Sequence, residues 1–142
     1  MSEKVLLVDD EPDFLEVMAE RMTARGMNVV TATSAEEALA RIAEESFDAV
    51  VLDFMMPGMD GIQTLQKLKS DRPELQIILL SGYATVEKSV EAMKLGAMDF
   101  MQKPADIDQL SAKIKAAQAE KMVVVEKQSA DRIQKILEDK GW

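Results

Sequence analysis

Acidic, hydroxyl-bearing and basic side chains stand where short apolar runs of this sequence end. Asp9 and Asp10 follow the first run, Asp53 the third, Ser81 the fourth and Lys103 the fifth. Carboxylates that are crowded together repel one another, and a bound cation removes that penalty. An ammonium group and a hydroxyl beside them can neutralise the oxygens of a phosphoryl group in transfer, and a carboxylate can itself be the nucleophile. These residue types therefore point to phosphoryl chemistry at a carboxylate cluster.

The cation that suits such a cluster is Mg²⁺. It prefers hard oxygen ligands and keeps several waters, so two carboxylates and a backbone carbonyl would fit it. The sequence contains no His and no Cys, so zinc is a poor fit. The absence of His also excludes His-based catalysis and a role as phosphohistidine donor. The absence of Cys excludes a disulfide framework and thiolate chemistry.

Five apolar runs separated by helical patterns must position these residues. Each run is short and bounded by polar or turn residues, which predicts strands, and the first and third runs are predicted to be buried strands. The predicted strands are Lys4–Val8, Asn28–Ala32, Phe47–Leu52, Gln76–Leu80 and Met98–Gln102. Between them, Pro12 favours a helix start, Ser34 and Glu37 form a capping-box pattern, and a last helix is predicted to begin near Asp106.

Alternation of strand and helix predicts an α/β fold, a doubly wound five-stranded parallel sheet with helices on both faces. For the flavodoxin-like strand order 2-1-3-4-5, the order reverses between strands one and three. Ligand sites of open α/β sheets lie at that switch point, outside the carboxyl ends of the strands. We therefore expect Asp9, Asp10 and Asp53 to meet there, with Ser81 and Lys103 on the same rim.

Charge and composition limit the function classes. The chain has 142 residues, the size of one domain, and a net charge of −9. Residues 1–104 hold 10 Lys or Arg against 19 Asp or Glu, which argues against nucleic-acid binding by this chain. No apolar run is long enough to cross a bilayer, and residues 1–5 do not resemble a signal peptide. We expect a cytoplasmic protein that does not contact membranes.

Four motifs together resemble the receiver domain of bacterial response regulators. They are Leu7-Val8-Asp9-Asp10-Glu11, the run from Leu52 to Gly61, Leu80-Ser81-Gly82 and Met101-Gln102-Lys103-Pro104. The resemblance covers roughly residues 4–118 and implies a two-component phosphorelay switch. Such a domain takes a phosphoryl group from a sensor histidine kinase or phosphotransfer protein, and it is not an enzyme beyond its own phosphorylation and dephosphorylation.

The resemblance also implies a role for each matching residue. Asp53 matches the phospho-acceptor, and Asp10 the direct Mg²⁺ ligand, with Asp9 holding the metal through water. The carbonyl of Met55 matches the backbone ligand. Lys103 matches the lysine that contacts the phosphoryl group, and its bond to Pro104 is expected to be cis. Ser81 matches the hydroxyl that moves toward the phosphoryl group, and Phe100 matches the switch aromatic. Because Phe100 lacks the usual tyrosine hydroxyl, its switching must rest on packing.

Residues 119–142 form a predicted helical tail beyond a receiver domain of residues 1–118. Met122 to Val125 are apolar, and Ile133, Ile136 and Leu137 lie at helical spacing, but no heptad pattern holds throughout. Two interpretations stay open: a helix that packs on a partner or forms a homodimer with the last helices, or a frayed helix.

Other interpretations compete with the switch. Taken singly, the acidic pair could stabilise a helix N-terminus, Asp53 could form a turn, and Phe100 could be core. A Mg²⁺-dependent phosphatase with an aspartyl-phosphate intermediate would need an acid at position 55, where Met55 stands. An adaptor that works without phosphorylation would not need the acidic pair, Asp53 and Lys103. Because Met55 cannot orient water, we predict slow self-dephosphorylation.

Overall fold

The computed structural model describes residues 2–54, 60–82 and 86–141. Within these residues the chain alternates five strands and five helices. In chain order they are β1 (Lys4–Val8), α1 (Pro12–Ala24), β2 (Asn28–Ala32), α2 (Ala35–Glu44), β3 (Ala49–Asp53), α3 (Gly61–Asp71), β4 (Ile77–Ser81), α4 (Val86–Lys94), β5 (Asp99–Gln102) and α5 (Ile107–Asp139).

The strands form one parallel sheet in the order β2-β1-β3-β4-β5, which confirms the predicted flavodoxin-like fold. β1, β3 and β4 lie in the middle, and nearly all their residues are buried, because helices cover both faces. That is why these strands are continuous apolar runs rather than alternating ones. The edge strands β2 and β5 are less buried.

Two apolar clusters hold the helices against the sheet. Alternate strand residues such as Leu6 and Leu52 face α2, α3 and α4. Their sequence neighbours, such as Leu7 and Val51, face α1 and the first part of α5. The side chains of a strand alternate between faces, so a single run supplies both clusters. Both are closely packed around the strands whose ends carry the polar residues.

Several element boundaries differ from the sequence prediction by one or two residues. β3 begins at Ala49 rather than Phe47, because the carboxylate of Asp48 accepts a hydrogen bond from the backbone N–H of Lys4 at 2.8 Å instead of pointing into a sheet face. β4 ends at Ser81 and β5 begins at Asp99, each one residue later than predicted. These shifts leave the order of polar residues at the strand ends unchanged.

The helical C-terminal extension is confirmed, and it continues α5 without a break. α5 has 33 residues and begins at the cap of Asp106, whose carboxylate accepts from the backbone N–H groups of Asp108 and Gln109. Leu110, Ile114 and Ala117 are buried against the sheet. None of the described helices combines the length with the apolar character that a membrane span requires.

Candidate functional site

The polar residues at the strand ends meet at one rim of the sheet, as predicted. Asp9 follows β1, whose last residue Val8 pairs with Leu52 of β3. Asp53 ends β3 and lies level with Leu80 of β4. In the same way Ser81 lies level with Gln102, the last residue of β5, and Lys103 follows directly after that strand. Parallel strands point in one direction, so their carboxyl ends share one edge.

Asp9, Asp10 and Asp53 form a cluster of carboxylates. One oxygen from each lies within 4.8 Å of the others. Asp9 and Asp53 are buried, with 1% and 6% of their surface exposed, whereas Asp10 is more open to solvent. Buried charges are costly unless they are paired, so this arrangement requires positive charge close by.

Lys103 supplies part of that charge. Its Nζ lies 2.7 Å from Oδ2 of Asp9 and 3.4 Å from Oδ2 of Asp53. Nζ also lies 4.3 Å from the ring centroid of Phe14 on α1, an arrangement that favours a cation. Desolvation alone would lower the pKa of Lys103, but the hydrogen bond to Asp9 and the attraction of both carboxylates outweigh it, and the pKa is raised. Lys103 therefore stays an ammonium group at neutral pH.

Both carboxylate oxygens of Asp9 already have partners. Oδ2 accepts from Lys103, and Oδ1 accepts from the backbone N–H of Glu11 at 2.9 Å. The backbone N–H of Asp9 donates to the carbonyl of Ala32 at 3.1 Å, which extends the pairing of β1 and β2 by one residue. Both oxygens of the Asp9 carboxylate are therefore engaged by groups of this chain.

The donor set fits a magnesium ion. In octahedral coordination at about 2.1 Å, ligand oxygens are about 3–4.2 Å apart, close to the spacing of these three carboxylates. All the side-chain donors are hard oxygens, and the described cluster contains no nitrogen or sulfur ligand. The predicted backbone ligand, Met55, lies outside the described residues.

Ser81 and Lys103 are joined through the backbone. The N–H of Lys103 donates to the carbonyl of Ser81 at 2.8 Å, which ties the end of β5 to the end of β4. Ser81 is fully buried, and the peptide bond between Lys103 and Pro104 is cis, as expected. A shift of Ser81 is thus connected directly to the loop that carries Lys103.

Phe100 packs beside the residue that follows Asp53. Its ring meets the ring of Phe54 edge-on, with centroids 6.3 Å apart and an interplanar angle of 65°. Phe54 is buried, and the Nζ of Lys88 on α4 lies 5.4 Å from its ring centroid. Phe54 therefore lies between the acidic cluster, Phe100 and α4.

Sequence reasoning missed the roles of Phe14 and Phe54. Phe14 was visible only as one apolar residue of a helical pattern, and nothing in that pattern shows which helix covers the end of β5. Phe54 follows Asp53 directly, so its position beside the cluster was a usable signal. Its contact with Phe100 depends on tertiary packing.

This fold and this rim define a class of α/β protein that carries a carboxylate cluster at the switch point of its sheet, and comparison with known proteins identifies the family. The model of the response regulator receiver domain matches residues 5–115. The chain belongs to the response regulator receiver domain family.

Individual relatives support this family assignment. The transcriptional regulatory protein ZraR of Escherichia coli K12 is 37% identical over 115 residues, which are 81% of this chain and 26% of ZraR. The response regulator FleR of Pseudomonas aeruginosa is 40% identical over 104 residues, 73% of this chain and 22% of FleR. The chain thus spans about a quarter of the length of these relatives. A receiver domain protein (CheY-like) from Methanospirillum hungatei superposes with a TM-score of 0.80 at 32% identity, covering 86% and 98% of the two chains.

Proposed function

We propose that Asp53 accepts a phosphoryl group from a phosphohistidine of a sensor histidine kinase or phosphotransfer protein. The observation that carries this proposal is the carboxylate of Asp53, buried at the switch point, 3.4 Å from Lys103 and clustered with Asp9 and Asp10. Family membership supplies the class of reaction. The residue assignments rest on the arrangement of this rim.

In the proposed step, an oxygen of Asp53 attacks the phosphorus in line with the histidine nitrogen. The new P–O bond forms as the P–N bond breaks, and the bonding pair stays on the imidazole of the donor. Lys103 is a fixed positive charge beside the arriving phosphoryl oxygens, and the hydroxyl of Ser81 is the predicted donor to them. Water later attacks the phosphorus, the P–O bond to Asp53 breaks, and inorganic phosphate leaves while the carboxylate is regenerated. The reactions proposed for the chain are therefore its own phosphorylation and dephosphorylation.

Asp10 and Asp53 are the residues we assign to bind Mg²⁺ directly, with Asp9 acting through water. The saturation of Asp9 by Lys103 and the Glu11 N–H supports its indirect role. When bound, the ion would offset the negative charge of the carboxylates and of the phosphoryl oxygens. Met55 is proposed as the backbone ligand from its sequence position alone.

Phosphorylation would change the balance of charge around Lys103. A phosphoryl group on Asp53 competes with Asp9 for the ammonium group, and Ser81 is tied to Lys103 through the backbone. Phe54 and Phe100 extend the contact to α4. We propose that this path shifts a two-state equilibrium that partner binding reads, with Ser81 and Phe100 as the switch residues.

The first test is the intact mass of the chain after incubation with Mg²⁺ and a small acyl-phosphate donor. The wild type is expected to gain one phosphoryl group, and neither Asp53→Asn nor wild type pretreated with EDTA should gain it. Asp48→Asn is the matched control, a partly buried carboxylate next to the opposite end of β3. Phosphorylation of Asp53→Asn would refute the assignment.

Two rivals give different results in related assays. Steady turnover of small phosphomonoesters would favour a phosphatase with an aspartyl-phosphate intermediate. Partner binding that is unchanged by Asp53→Asn would favour an adaptor that does not use phosphorylation. The cytoplasmic location and the lack of nucleic-acid and membrane binding by these residues stay predictions.

A further inference from the structure

The edge strand β2 directs a row of backbone groups away from the sheet. The N–H of Asn28 and the carbonyl of Ala32 bond to the chain of β1 and its flanking residues. In a parallel ladder alternate residues bond to the same neighbour, so Val30 also faces β1. The N–H and C=O groups of Val29 and Thr31 therefore point outward, and no other described residue bonds to them.

β2 lacks the features that protect most exposed sheet edges, namely charged side chains and Pro. Its residues, Asn28–Ala32, include neither. β5, at the opposite edge, carries Asp99, whose carboxylate pairs with Lys113. The outward row of β2 ends at Thr33, whose N–H donates to the carboxylate of Glu37 at 3.1 Å. β2 thus offers four unprotected backbone groups, two donors and two acceptors.

A groove adjoins this edge on the face of the sheet that α1 covers. Thr31 and Thr33 form one wall of the groove, because alternate side chains of a strand lie on the same face. The other wall is the flank of α1, where Leu15, Ala19 and Thr23 lie along the groove. A strand added beside β2 would place every second side chain in this groove.

Among the described residues that line the groove, the two charged ones are both acidic. Glu16 and Glu20 lie one turn apart on α1, and both are exposed. Neither forms an ion pair with another described residue. Like charges four residues apart on a helix repel each other, and a cation between them would relieve the repulsion. A second copy of this chain, with its net charge of −9, would add negative charge instead.

We propose that β2 binds an extended peptide segment of a partner protein as a sixth strand of the sheet. The backbone of the segment bonds to Val29 and Thr31, its alternate apolar side chains fill the groove, and a Lys or Arg lies between Glu16 and Glu20. In complexes of this kind the backbone bonds supply affinity, and the pockets for alternate side chains supply specificity. The proposal does not depend on phosphorylation.

Selection from a random library of ten-residue peptides by mRNA display on the full chain tests the site. Peptides with apolar residues at every second position and a Lys or Arg are expected to be enriched. Thr31→Pro removes one outward N–H without breaking a bond to β1, so selected peptides should bind this variant at least about tenfold more weakly. Thr31→Val keeps the N–H and a similar shape, and its affinity should match the wild type. A selection that yields no peptide preferring wild type over Thr31→Pro would overturn the proposal.

N-methylated forms of a selected peptide test the binding mode on the wild-type chain, independently of any variant. In an extended segment, the N–H groups of every second residue point to the same side. Methylation of one alternate set should weaken binding at least about tenfold, and methylation of the other set should change it little. Equal losses from the two sets, or no loss from either, would exclude strand addition.

Glu16→Gln and Glu20→Gln test the charge of the occupant. Each should weaken the binding of a selected peptide about threefold, as expected for one exposed ion pair. Glu44→Gln removes an exposed carboxylate from α2 and should leave binding unchanged. Equal affinities of all three variants would exclude a cationic segment. A wild-type dimer in sedimentation equilibrium that Thr31→Pro abolishes would assign the edge to a second copy instead.

Discussion

Gly61 shows how one residue constrains the region next to the phospho-acceptor. A Cβ atom on Gly61 would lie 2.4 Å from the carbonyl oxygen of Phe54 and 2.7 Å from its ring carbon Cδ2. Both atoms belong to the residue after Asp53, and the carbonyl cannot move without moving the end of β3. The first residue of α3 must therefore be glycine, because any side chain there would keep the helix start from lying this close to Phe54.

We expect Gly61→Ala to lower the free energy of unfolding by about 1–3 kcal/mol, the usual cost of forcing an extra carbon into a packed site. Urea unfolding measures the change. Gly82→Ala is the control, because its Cβ would meet nothing within 4 Å and its φ is not left-handed. If both variants unfold at the same urea concentration, the close approach at Gly61 does not constrain the fold.

At the residue scale, the sequence predicted the charged members of the site but not their aromatic neighbours. Asp9, Asp10, Asp53 and Lys103 are identified by one rule, since a polar residue at the end of a buried parallel strand has a defined place on the rim. Phe14 has no such signal. Its position over Lys103 depends on the packing of α1 against the sheet, which a helical pattern alone does not specify.

The start of α2 shows what a local motif does and does not determine at the scale of an element. The predicted cap is present, since Oγ of Ser34 accepts from the backbone N–H of Glu37 at 3.1 Å. The reciprocal bond differs from the usual capping box. The carboxylate of Glu37 accepts from both the backbone N–H and the hydroxyl of Thr33, one residue before the cap. The motif predicted where the helix starts. It did not predict that the carboxylate of Glu37 would bond to Thr33 rather than to Ser34.

Removing this carboxylate should give a pH-dependent loss of stability. The backbone and then the side-chain hydrogen bond from Thr33 lower the pKa of Glu37. Its stabilising effect is therefore present above the usual Glu pKa of about 4.3 and is lost as the pH falls through the lower folded-state pKa. Urea unfolding of Glu37→Gln should show a deficit at pH 7 that shrinks towards pH 3. Glu36→Gln, an exposed neighbour in the same first turn, controls for the loss of charge at the helix N-terminus and should show a smaller deficit. A Glu37→Gln deficit that is equal at both pH values would contradict the assignment.

Among the helices, α4 has the weakest attachment to the sheet. Of its residues 87–94, Ala92 is the one that is buried, whereas Val90 and Met93 are nearly half exposed. α1 buries three large side chains, Leu15, Met18 and Met22. Little buried apolar surface means a low free energy of local opening. We therefore expect α4, which contacts Phe54 through Lys88, to open more easily than α1.

Native-state hydrogen exchange measures this difference. We expect backbone amides of residues 90–94 to exchange at least about tenfold faster than those of residues 18–22, a gap of about 1.4 kcal/mol in opening free energy. These two sets provide the comparison, because each amide lies more than one turn after the start of its helix and donates within it. Equal protection of α4 and α1 would rule out α4 as the mobile element of the proposed switch.

At the scale of the whole molecule, the sequence predicts that the domain ends near residue 118, and it leaves the state of the tail open. The family match ends at residue 115, and α5 passes through this region as one helix to Asp139. Helix formers beyond the domain continue a helix that the sheet has already nucleated. Composition could not distinguish that outcome from fraying, because the difference lies in how α5 is anchored upstream.

Truncation separates the domain from the tail. A chain of residues 1–125 keeps the contacts of Lys121 with Ser46 and Asp48, and its free energy of unfolding should match the wild type within about 0.5 kcal/mol. A chain of residues 1–118 loses those contacts and should be destabilised by about 1 kcal/mol, the order of magnitude for one hydrogen bond and one long, partly buried ion pair. Both chains should still accept a phosphoryl group on Asp53, because the carboxylate rim depends on the strand ends rather than on the tail. A loss of cooperative unfolding in the 1–125 chain would mean instead that the tail is part of the folding unit.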